Sequence, residues 1–266
     1  MALRDLKELK PLPLVRSAAP AAPLLSEGAK RCDGRALDEF RPVFIRTGTV
    51  SKAAGSAYLE LGHTKVLCSV FAAHQHGADG NLQRGKLECS LRFTTFAQRV
   101  RRLSSAASTQ EREFSSAMAA ALSASVQLDR YPKSTLPVHV LVIEDDGGAL
   151  AAAISCASLA LADASVFLYD LVTACSTAHL PGGGLALDCT GSELAGSTAS
   201  TVVALMPSLN QLTLARHDGA ALFEQGVAGL QQSLAGATKL HELMQSALVA
   251  QRRDASPAKT TSENAD

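Results

Sequence analysis

Three consecutive acidic residues near the middle of the chain are the first candidates for chemistry. Glu144, Asp145 and Asp146 carry the oxygen ligands that hard divalent cations prefer. Successive side chains of a strand point to opposite faces, so three adjacent carboxylates cannot converge on one ion unless the chain turns. We therefore interpret these residues as the solvated end of a strand.

Histidines form a second candidate site. His74 and His76 form a His-x-His pair, a spacing that can bind zinc, and His63 precedes them. No cysteine or acid lies at the local spacing typical of a zinc site. We interpret the pair as loop histidines.

A basic run lies between a predicted strand and the first predicted helix. Arg99, Arg101 and Arg102 form the run, and Arg84 and Arg92 precede it. A solvated loop is one interpretation of this run, and the role that the family resemblance described below implies for it is the other. Both stay open.

The overall charge argues against a generally basic nucleic-acid binder. Lys and Arg together number 25, as do Asp and Glu, so the formal net charge is zero. Phosphate contacts supply most of the non-specific affinity for nucleic acids. Any RNA contact must therefore come from a local patch or from a groove shared with partner chains. Hydrophobic residues make up 47% of the chain and aromatic residues 4%, without tryptophan, which predicts a globular domain with an aliphatic core.

The cysteines and the two termini indicate an intracellular protein. None of the 6 cysteines forms a Cys-x-x-Cys pair, and several lie in apolar runs, which favours buried, reduced thiols. The first residues mix charges with Pro and Ala and lack the apolar core of a signal peptide, so secretion is not expected. We predict a disordered arm at 1–28, one domain at 29–250 and a disordered tail at 251–266.

Apolar periodicity predicts the order of strands and helices. Strands are predicted at 41–50, 56–61, 65–73, 87–96, 138–144, 170–178, 185–188, 202–207 and 210–215. Helices are predicted at 109–128, 149–164 and 220–250. The Ala-rich second helix should be buried nearly all round, and Gly236 marks a candidate break in the third. Runs of strands closed by helices predict an α+β architecture with helices covering mainly antiparallel sheet.

Several segments together resemble the RNase PH family. They are Arg31-Cys32-Asp33-Gly34-Arg35, Arg41-Pro42-Val43, Gly48, Gly55-Ser56-Ala57, Gly62-His63-Thr64-Lys65-Val66, Gly147-Gly148, the run from Ala153 to Ala164, and Tyr169-Asp170-Leu171-Val172. Within that family the chain most resembles a ring subunit of the eukaryotic RNA exosome, in Gly55-Ser56-Ala57-Tyr58-Leu59-Glu60, Thr64-Lys65-Val66-Leu67-Cys68, the run from Ser155 to Ala164, Leu168-Tyr169-Asp170-Leu171 and Ala204-Leu205-Met206-Pro207. The similarity covers about residues 31–250. It implies the RNase PH fold, similar to domain 2 of ribosomal protein S5, with mixed and antiparallel sheets covered by helices.

The resemblance also implies that catalysis is lost. Active members cleave RNA phosphorolytically, with inorganic phosphate attacking the last phosphodiester at the 3′ end. This reaction needs cations around the attacking phosphate and a metal ion bound by carboxylates. Ala149 and Leu150 stand where those members carry the Thr and Arg of a Gly-Thr-Arg sequence, and a second arginine falls on or near Ser108. Glu193 could replace one acid, whereas the second falls on Ala199 or Ser200. The resemblance therefore implies no catalytic residue, no cofactor and no metal.

The implied function is that of a non-catalytic structural subunit of the exosome core ring, supporting assembly and RNA routing in 3′-to-5′ RNA processing and degradation. The implied partners are other RNase PH-like subunits in a six-membered ring, S1/KH-type cap subunits, an associated hydrolytic nuclease and RNA. In ring-forming members the loop at this place faces the central channel and its arginines meet RNA phosphates, so the resemblance implies that Arg99, Arg101 and Arg102 are RNA-binding residues. The implied location is the nucleus, including the nucleolus, and the cytoplasm.

Two alternatives stay open. The main one is an active phosphate-dependent 3′-to-5′ exoribonuclease of the same family, against which the missing Thr and Arg argue. The other is a protein that binds partners outside any exosome, for example through its long C-terminal helix.

Overall fold

The computed structural model describes residues 25–26, 30–31, 33–75, 84–98, 108–181 and 184–255. Within these ranges the strands are β1 (Leu25–Ser26), β2 (Lys30–Arg31), β3 (Val43–Thr47), β4 (Gly55–Leu61), β5 (Thr64–Val70), β6 (His74–Gln75), β7 (Lys86–Phe93), β8 (Ser134–Glu144), β9 (Thr173–His179), β10 (Leu185–Leu187), β11 (Ala199–Met206) and β12 (Gln211–Gly219). The helices are α1 (Thr109–Ser123), α2 (Ala149–Asp163), α3 (Gly191–Gly196) and α4 (Phe223–Ala255), with a 3-10 turn at Leu128–Arg130. Segments 1–24 and 256–266 of the two predicted disordered ends lie outside the described residues, as do Arg99, Arg101, Arg102 and His76.

Most strands form one of two sheets. The larger sheet has the order β3-β4-β5-β8, and both β6 and β7 also pair with β8. Strand β7 runs parallel to β8, whereas the other pairs of this sheet are antiparallel. The smaller sheet has the antiparallel order β10-β9-β11-β12. The predicted α+β class with mixed and antiparallel sheets is confirmed.

Helix α2 lies between the two sheets. Every residue from Ala149 to Leu161 is buried, because the helix contacts β4 and β5 of the larger sheet and β9 of the smaller one. Its small side chains allow both sheets to approach closely. Its buried hydroxyls are hydrogen-bonded: Ser155 accepts from the Ala174 N–H at 3.0 Å and Ser158 from the Val172 N–H at 2.8 Å. The predicted burial on all sides is confirmed.

The packing of α2 on β4 requires glycine at position 55. A Cβ there would lie 2.2 Å from the backbone nitrogen of Ala164 and 2.5 Å from the Ala160 carbonyl oxygen. Gly55→Ala is therefore expected to lower the free energy of unfolding, measured in urea, by about 1–3 kcal/mol. The matched control is Gly226→Ala in α4, where an added Cβ meets nothing within 4 Å. Helix propensity should make that variant about 0.5–1 kcal/mol more stable, and destabilisation of similar size at both positions would contradict the packing.

Helix α4 covers the face of the smaller sheet opposite α2. Strand β9 is buried at every position because it is covered from both sides. The predicted break at Gly236 is wrong, since the helix continues from Phe223 to Ala255. A Cβ at Gly236 would lie 2.8 Å from Leu187 Cδ1 and 3.0 Å from Cys175 Sγ, so this glycine permits close packing.

The described cysteines are free, as the sequence predicts. Cys68, Cys156, Cys175 and Cys189 are buried and Cys89 is partly buried. Burial raises the pKa of Cys89 and that of Cys189 to about 12, so both thiols stay protonated at neutral pH. Within the described ranges, no helix has both the length and the apolar character of a membrane span.

Candidate functional site

The starts of α1, α2 and α3 meet at one cavity of about 500 Å³. Its walls include Gln110 near the start of α1, Gly148 and Ala149 at the start of α2, and Ser192 and Leu194 in α3. These are the three places at which the resemblance puts the phosphate-binding and metal-binding groups of active enzymes. The lining thus includes Ala149 and residues close in sequence to Ser108 and Glu193, whereas Ala199 and Ser200 in β11 are not among the residues that line it. The side chains of the lining decide what the cavity can bind.

Two left-handed glycines shape the wall at the start of α2. Gly147 has φ +90° and Gly148 has φ +70°, and a Cβ at Gly147 would lie 2.6 Å from the Cys189 carbonyl oxygen. The N–H of Gly147 donates to Asp145 Oδ1 at 3.1 Å. The Gly147 N–H at this turn is therefore bonded to Asp145 and is not available to donate to a bound anion.

The start of α1 is closed by a capping box. Ser108 Oγ accepts from the Glu111 N–H at 3.2 Å, and Glu111 Oε2 accepts from the Ser108 N–H at 2.8 Å. Glu111 is buried, and its Oε1 accepts from the Phe93 N–H at 3.0 Å. Near the place of the family's second arginine, the chain therefore has a hydroxyl that caps its own helix.

Glu193, the candidate replacement for a catalytic acid, is held by an arginine. Its carboxylate is buried and receives two hydrogen bonds from Arg31, from Nε to Oε1 at 2.7 Å and from Nη2 to Oε2. Its Oε2 also accepts from the Thr190 N–H at 2.9 Å. Burial by itself raises the pKa of Glu193, but the bonds from Arg31 and Thr190 outweigh it and hold the pKa below its usual value. This carboxylate is therefore a partner for Arg31 and caps α3.

A second buried ion pair lies beside the first. Arg41 Nε donates to Asp188 Oδ2 at 2.8 Å and Nη2 donates to Oδ1 at 2.6 Å. The same guanidinium donates to the carbonyl oxygens of Asp146 at 3.0 Å and Gly147 at 3.1 Å. Arg41 thus joins the segment before β3 to the segment after β10 and to the glycine turn at the cavity.

The charge around the cavity is unfavourable for phosphate. Its described lining includes the carboxylates of Asp145 and Asp146 but no lysine, arginine or histidine. Asp146 Oδ1 also accepts from the Gly191 N–H at 3.4 Å, at the start of α3. A like charge about 4 Å from a bound phosphate opposes binding by about 4 kcal/mol at an effective dielectric constant near 20. A helix N-terminus favours an anion by only about 0.3–1 kcal/mol.

The three acidic residues have separate partners. Glu144 Oε2 accepts from Lys65 Nζ at 2.8 Å, whereas Asp145 Oδ2 accepts from Gln98 Nε2 at 2.9 Å. Asp146 instead faces the start of α3. Over the residues that the structure describes, no three His, Cys, Asp or Glu side chains are grouped to hold a metal ion.

The remaining candidates lie elsewhere. His74 begins β6 and His63 lies in the turn between β4 and β5, whereas His76 is outside the described residues. Arg84 is exposed and its Nε lies 3.1 Å from Asp129 Oδ1.

Sequence reasoning missed the roles of Arg31, Arg41 and Asp188. The sequence does contain a signal for α3, because Thr190 and Glu193 have the spacing of a capping box. It contains none for the ion pairs, whose partners are 162 and 147 residues apart.

Comparisons with known proteins show the family and the fold of the chain. The model of the 3′ exoribonuclease family, domain 1 (RNase PH), matches residues 39–166. Exosome complex component MTR3 from Homo sapiens is 42% identical over 241 residues, covering 81% of this chain and 86% of that protein.

Two solved structures have the same fold. The crystal structure of rice (Oryza sativa) Rrp46 has a TM-score of 0.72 at 23% identity, covering 81% of this chain and 98% of that one. An Archaeoglobus fulgidus exosome with RNA bound to the active site has a TM-score of 0.71 at 22% identity, covering 80% and 92%. The family model and the identity to MTR3 show that the chain belongs to the RNase PH family of 3′ exoribonucleases.

Proposed function

We propose that this chain is a non-catalytic structural subunit of the RNA exosome core ring, which supports assembly and RNA routing in 3′-to-5′ RNA processing, including that of rRNA, and in RNA degradation. The similarity to MTR3 supports membership of the exosome. The observation that carries the loss of catalysis is the cavity, whose described lining presents two carboxylates and no cation. We propose the nucleus, including the nucleolus, and the cytoplasm as its location.

The described residues lack the two sites that phosphorolysis requires, one for the attacking phosphate and one for a metal ion. The attacking phosphate needs cations and amide donors, but the N–H groups of Gly147 and Gly191 donate to carboxylates of the chain itself. A metal needs convergent acids, but Glu193 binds Arg31. The alternative of an active exoribonuclease would require groups that the described cavity does not present.

The test is phosphorolysis by the purified full-length chain. Single-stranded RNA with inorganic phosphate should release no nucleoside diphosphate above the level without protein, whereas an active RNase PH in the same assay should release it rapidly. Phosphate-dependent release that co-purifies with the chain, and that Ser192→Glu abolishes by adding a negative charge at an exposed position of the cavity lining, would establish the alternative.

The edges of the sheets offer a means of assembly. Strand β12 is an edge strand of nine residues, most of them exposed. An unpaired edge can add a strand from another chain. In the proposed six-membered ring the partners are other RNase PH-like subunits, with S1/KH-type cap subunits and an associated hydrolytic nuclease acting on the same RNA.

We also propose that Arg99, Arg101 and Arg102 contact RNA phosphates in the channel of that ring. Replacing all three with alanine in the assembled complex should weaken RNA crosslinking and leave the subunit composition intact. Three lost phosphate contacts should make the slope of log affinity against log salt shallower by about 2, since each contact to a single strand contributes about 0.7. Arg46→Ala, at an exposed arginine in β3, is the control. Unchanged crosslinking and an unchanged slope would rule out this role for the loop.

A further inference from the structure

An exposed aromatic surface lies at the far ends of α1 and α2 from the cavity. Both helices begin at the cavity and have 15 residues, so about 22 Å separates their two ends. Beyond their C-terminal ends lie Arg130, Tyr131, Phe167 and Tyr169, which we call the aromatic platform. Phe167 is 51% exposed and Tyr169 is 58% exposed in a chain with few aromatic residues.

The backbone of the platform is held in place. An isolated antiparallel bridge joins Val126 to Leu168. On either side of it, the Gln127 N–H donates to the Phe167 carbonyl at 3.0 Å, and the Tyr169 N–H donates to the Ser125 carbonyl at 2.8 Å. Alternate residues of an extended segment point to the same side. Phe167 and Tyr169 are therefore presented together while Leu168 packs inward.

The guanidinium group of Arg130 is part of the platform. The guanidinium carbon of Arg130 lies 4.3 Å from the centroid of the Phe167 ring, a cation–π contact. The Tyr131 ring lies 6.4 Å from the same ring, and its hydroxyl accepts from the Phe167 N–H at 3.2 Å. The platform thus offers two flat surfaces, the Tyr169 ring and the guanidinium stacked on Phe167.

The charges beside the platform are mainly positive. Arg84, Arg130 and Lys133 are exposed there, and Asp129 pairs with Arg84 at 3.1 Å. Asp170 directs its oxygens to Ser208, from whose N–H and Oγ–H it accepts. Exposed aromatic rings with neighbouring guanidinium groups suit unpaired bases and their phosphates, because every base has a π face and every nucleotide carries a charge.

We propose that the aromatic platform binds single-stranded RNA, with one base stacked on Tyr169, a second on the Arg130–Phe167 pair, and phosphate near Arg130 and Lys133. The site goes beyond the proposed function, because it lies away from the cavity and needs neither inorganic phosphate nor a ring. Double-stranded RNA should bind weakly, since its bases are already stacked on each other.

The test measures binding of fluorescein-labelled oligouridine to the full-length chain by anisotropy, in phosphate-free buffer. The background variant has Arg99, Arg101 and Arg102 replaced by alanine, so that this loop cannot contribute. Tyr169→Ala should weaken binding about 5- to 100-fold, as expected for loss of one stacked base, whereas Tyr169→Phe should change it less than about twofold. Arg130→Ala should make the salt slope shallower by about 0.7.

The control is Phe223→Ala, which removes an aromatic ring that is 85% exposed at the start of α4. It should leave RNA affinity unchanged, and photocrosslinks from 4-thiouridine should map to the peptide that contains Tyr169. Equal losses at Phe223 and Tyr169, crosslinks only elsewhere, or no binding at about 100 µM chain would overturn the proposal. If the complex that co-purifies with Tyr169→Ala from cells lacks another ring subunit while the RNA affinity of the purified chain is unchanged, the platform is a protein interface, and the proposal is overturned.

Discussion

Replacing Arg41 with alanine is expected to lower the free energy of unfolding by about 3–5 kcal/mol, because it leaves the buried Asp188 carboxylate without its cation. The variant also removes the donors to the carbonyls of Asp146 and Gly147 and to Thr64 Oγ1. Urea denaturation at neutral pH measures the change. This loss exceeds that expected from the glycine substitutions, since a single residue supports three segments of the chain.

Arg216→Ala is the control for Arg41. Arg216 Nε donates to Asp218 Oδ2 at 2.8 Å in β12, where the pair is partly exposed. Exposed pairs contribute about 0–1 kcal/mol, so this variant should remain close to the parent chain. Similar losses for Arg41→Ala and Arg216→Ala would show that the buried pair has no special role. Arg41→Lys tests geometry, because lysine keeps the charge but cannot form both bonds to Asp188.

Glu193→Gln is expected to destabilise the chain by about 3–5 kcal/mol at neutral pH, since it leaves Arg31 buried without a counter-charge. Glutamine keeps the capping box with Thr190, so the change isolates the charge. The pKa of Glu193 is lower in the folded chain than its usual value. The stabilisation that ionised Glu193 gives the fold is therefore complete above its pKa in the unfolded chain, near 4.3. It is lost as pH falls below that value towards the lower pKa of Glu193 in the folded chain.

The stabilities of the parent chain and Glu193→Gln should therefore converge as pH falls below about 4. Denaturation curves at several pH values measure the convergence. Glu224→Gln, at an exposed position in the first turn of α4, should change stability by at most about 1 kcal/mol at any of them. A constant difference between the parent and Glu193→Gln across this range would contradict the ion pair.

The buried ion pairs give this region a structural role. Arg31 and Arg41 lie before β3, whereas Asp188 and Glu193 follow β10 and begin α3. Because Arg41 also holds the turn before α2, two segments of the cavity wall, that turn and the segment of Asp188 and α3, are fixed to the segment before β3. The carboxylates that line the cavity are Asp145 and Asp146, and the chain's own amide groups donate to them.

The sequence predicts the architecture because the signals involved are local. The Ala-rich run in α2 can only be accommodated between two layers, and the alternating apolar residues of β5 face one core. The resemblance also indicates which parts of the chain matter for the site, because residues close to Ser108, Gly148 itself and both neighbours of Glu193 line one cavity. These features depend on periodicity or on matching segments, which a single sequence displays.

Other features depend on pairs of residues that are distant in the chain. Arg31 and Glu193 form an ion pair although 162 residues separate them in sequence, and no periodicity in the sequence marks either residue. From sequence alone, Gly236 is interpreted as a helix breaker. In the structure, Leu187 and Cys175 pack against it, so the position requires a residue without a side chain. Glu193 was a candidate catalytic acid because it carries a carboxylate, but the tertiary contact with Arg31 fixes where that carboxylate points.

The central claim, a structural subunit of a mixed ring, is tested most directly by native mass spectrometry of the assembly that co-purifies with this chain from its own cells. The tag belongs at the N-terminus, which is distant in sequence from the cavity lining and from the edge strand β12. The account predicts one copy of this chain together with different RNase PH-like subunits in a six-membered ring. A lone chain, or a ring made only of copies of this chain, would contradict it.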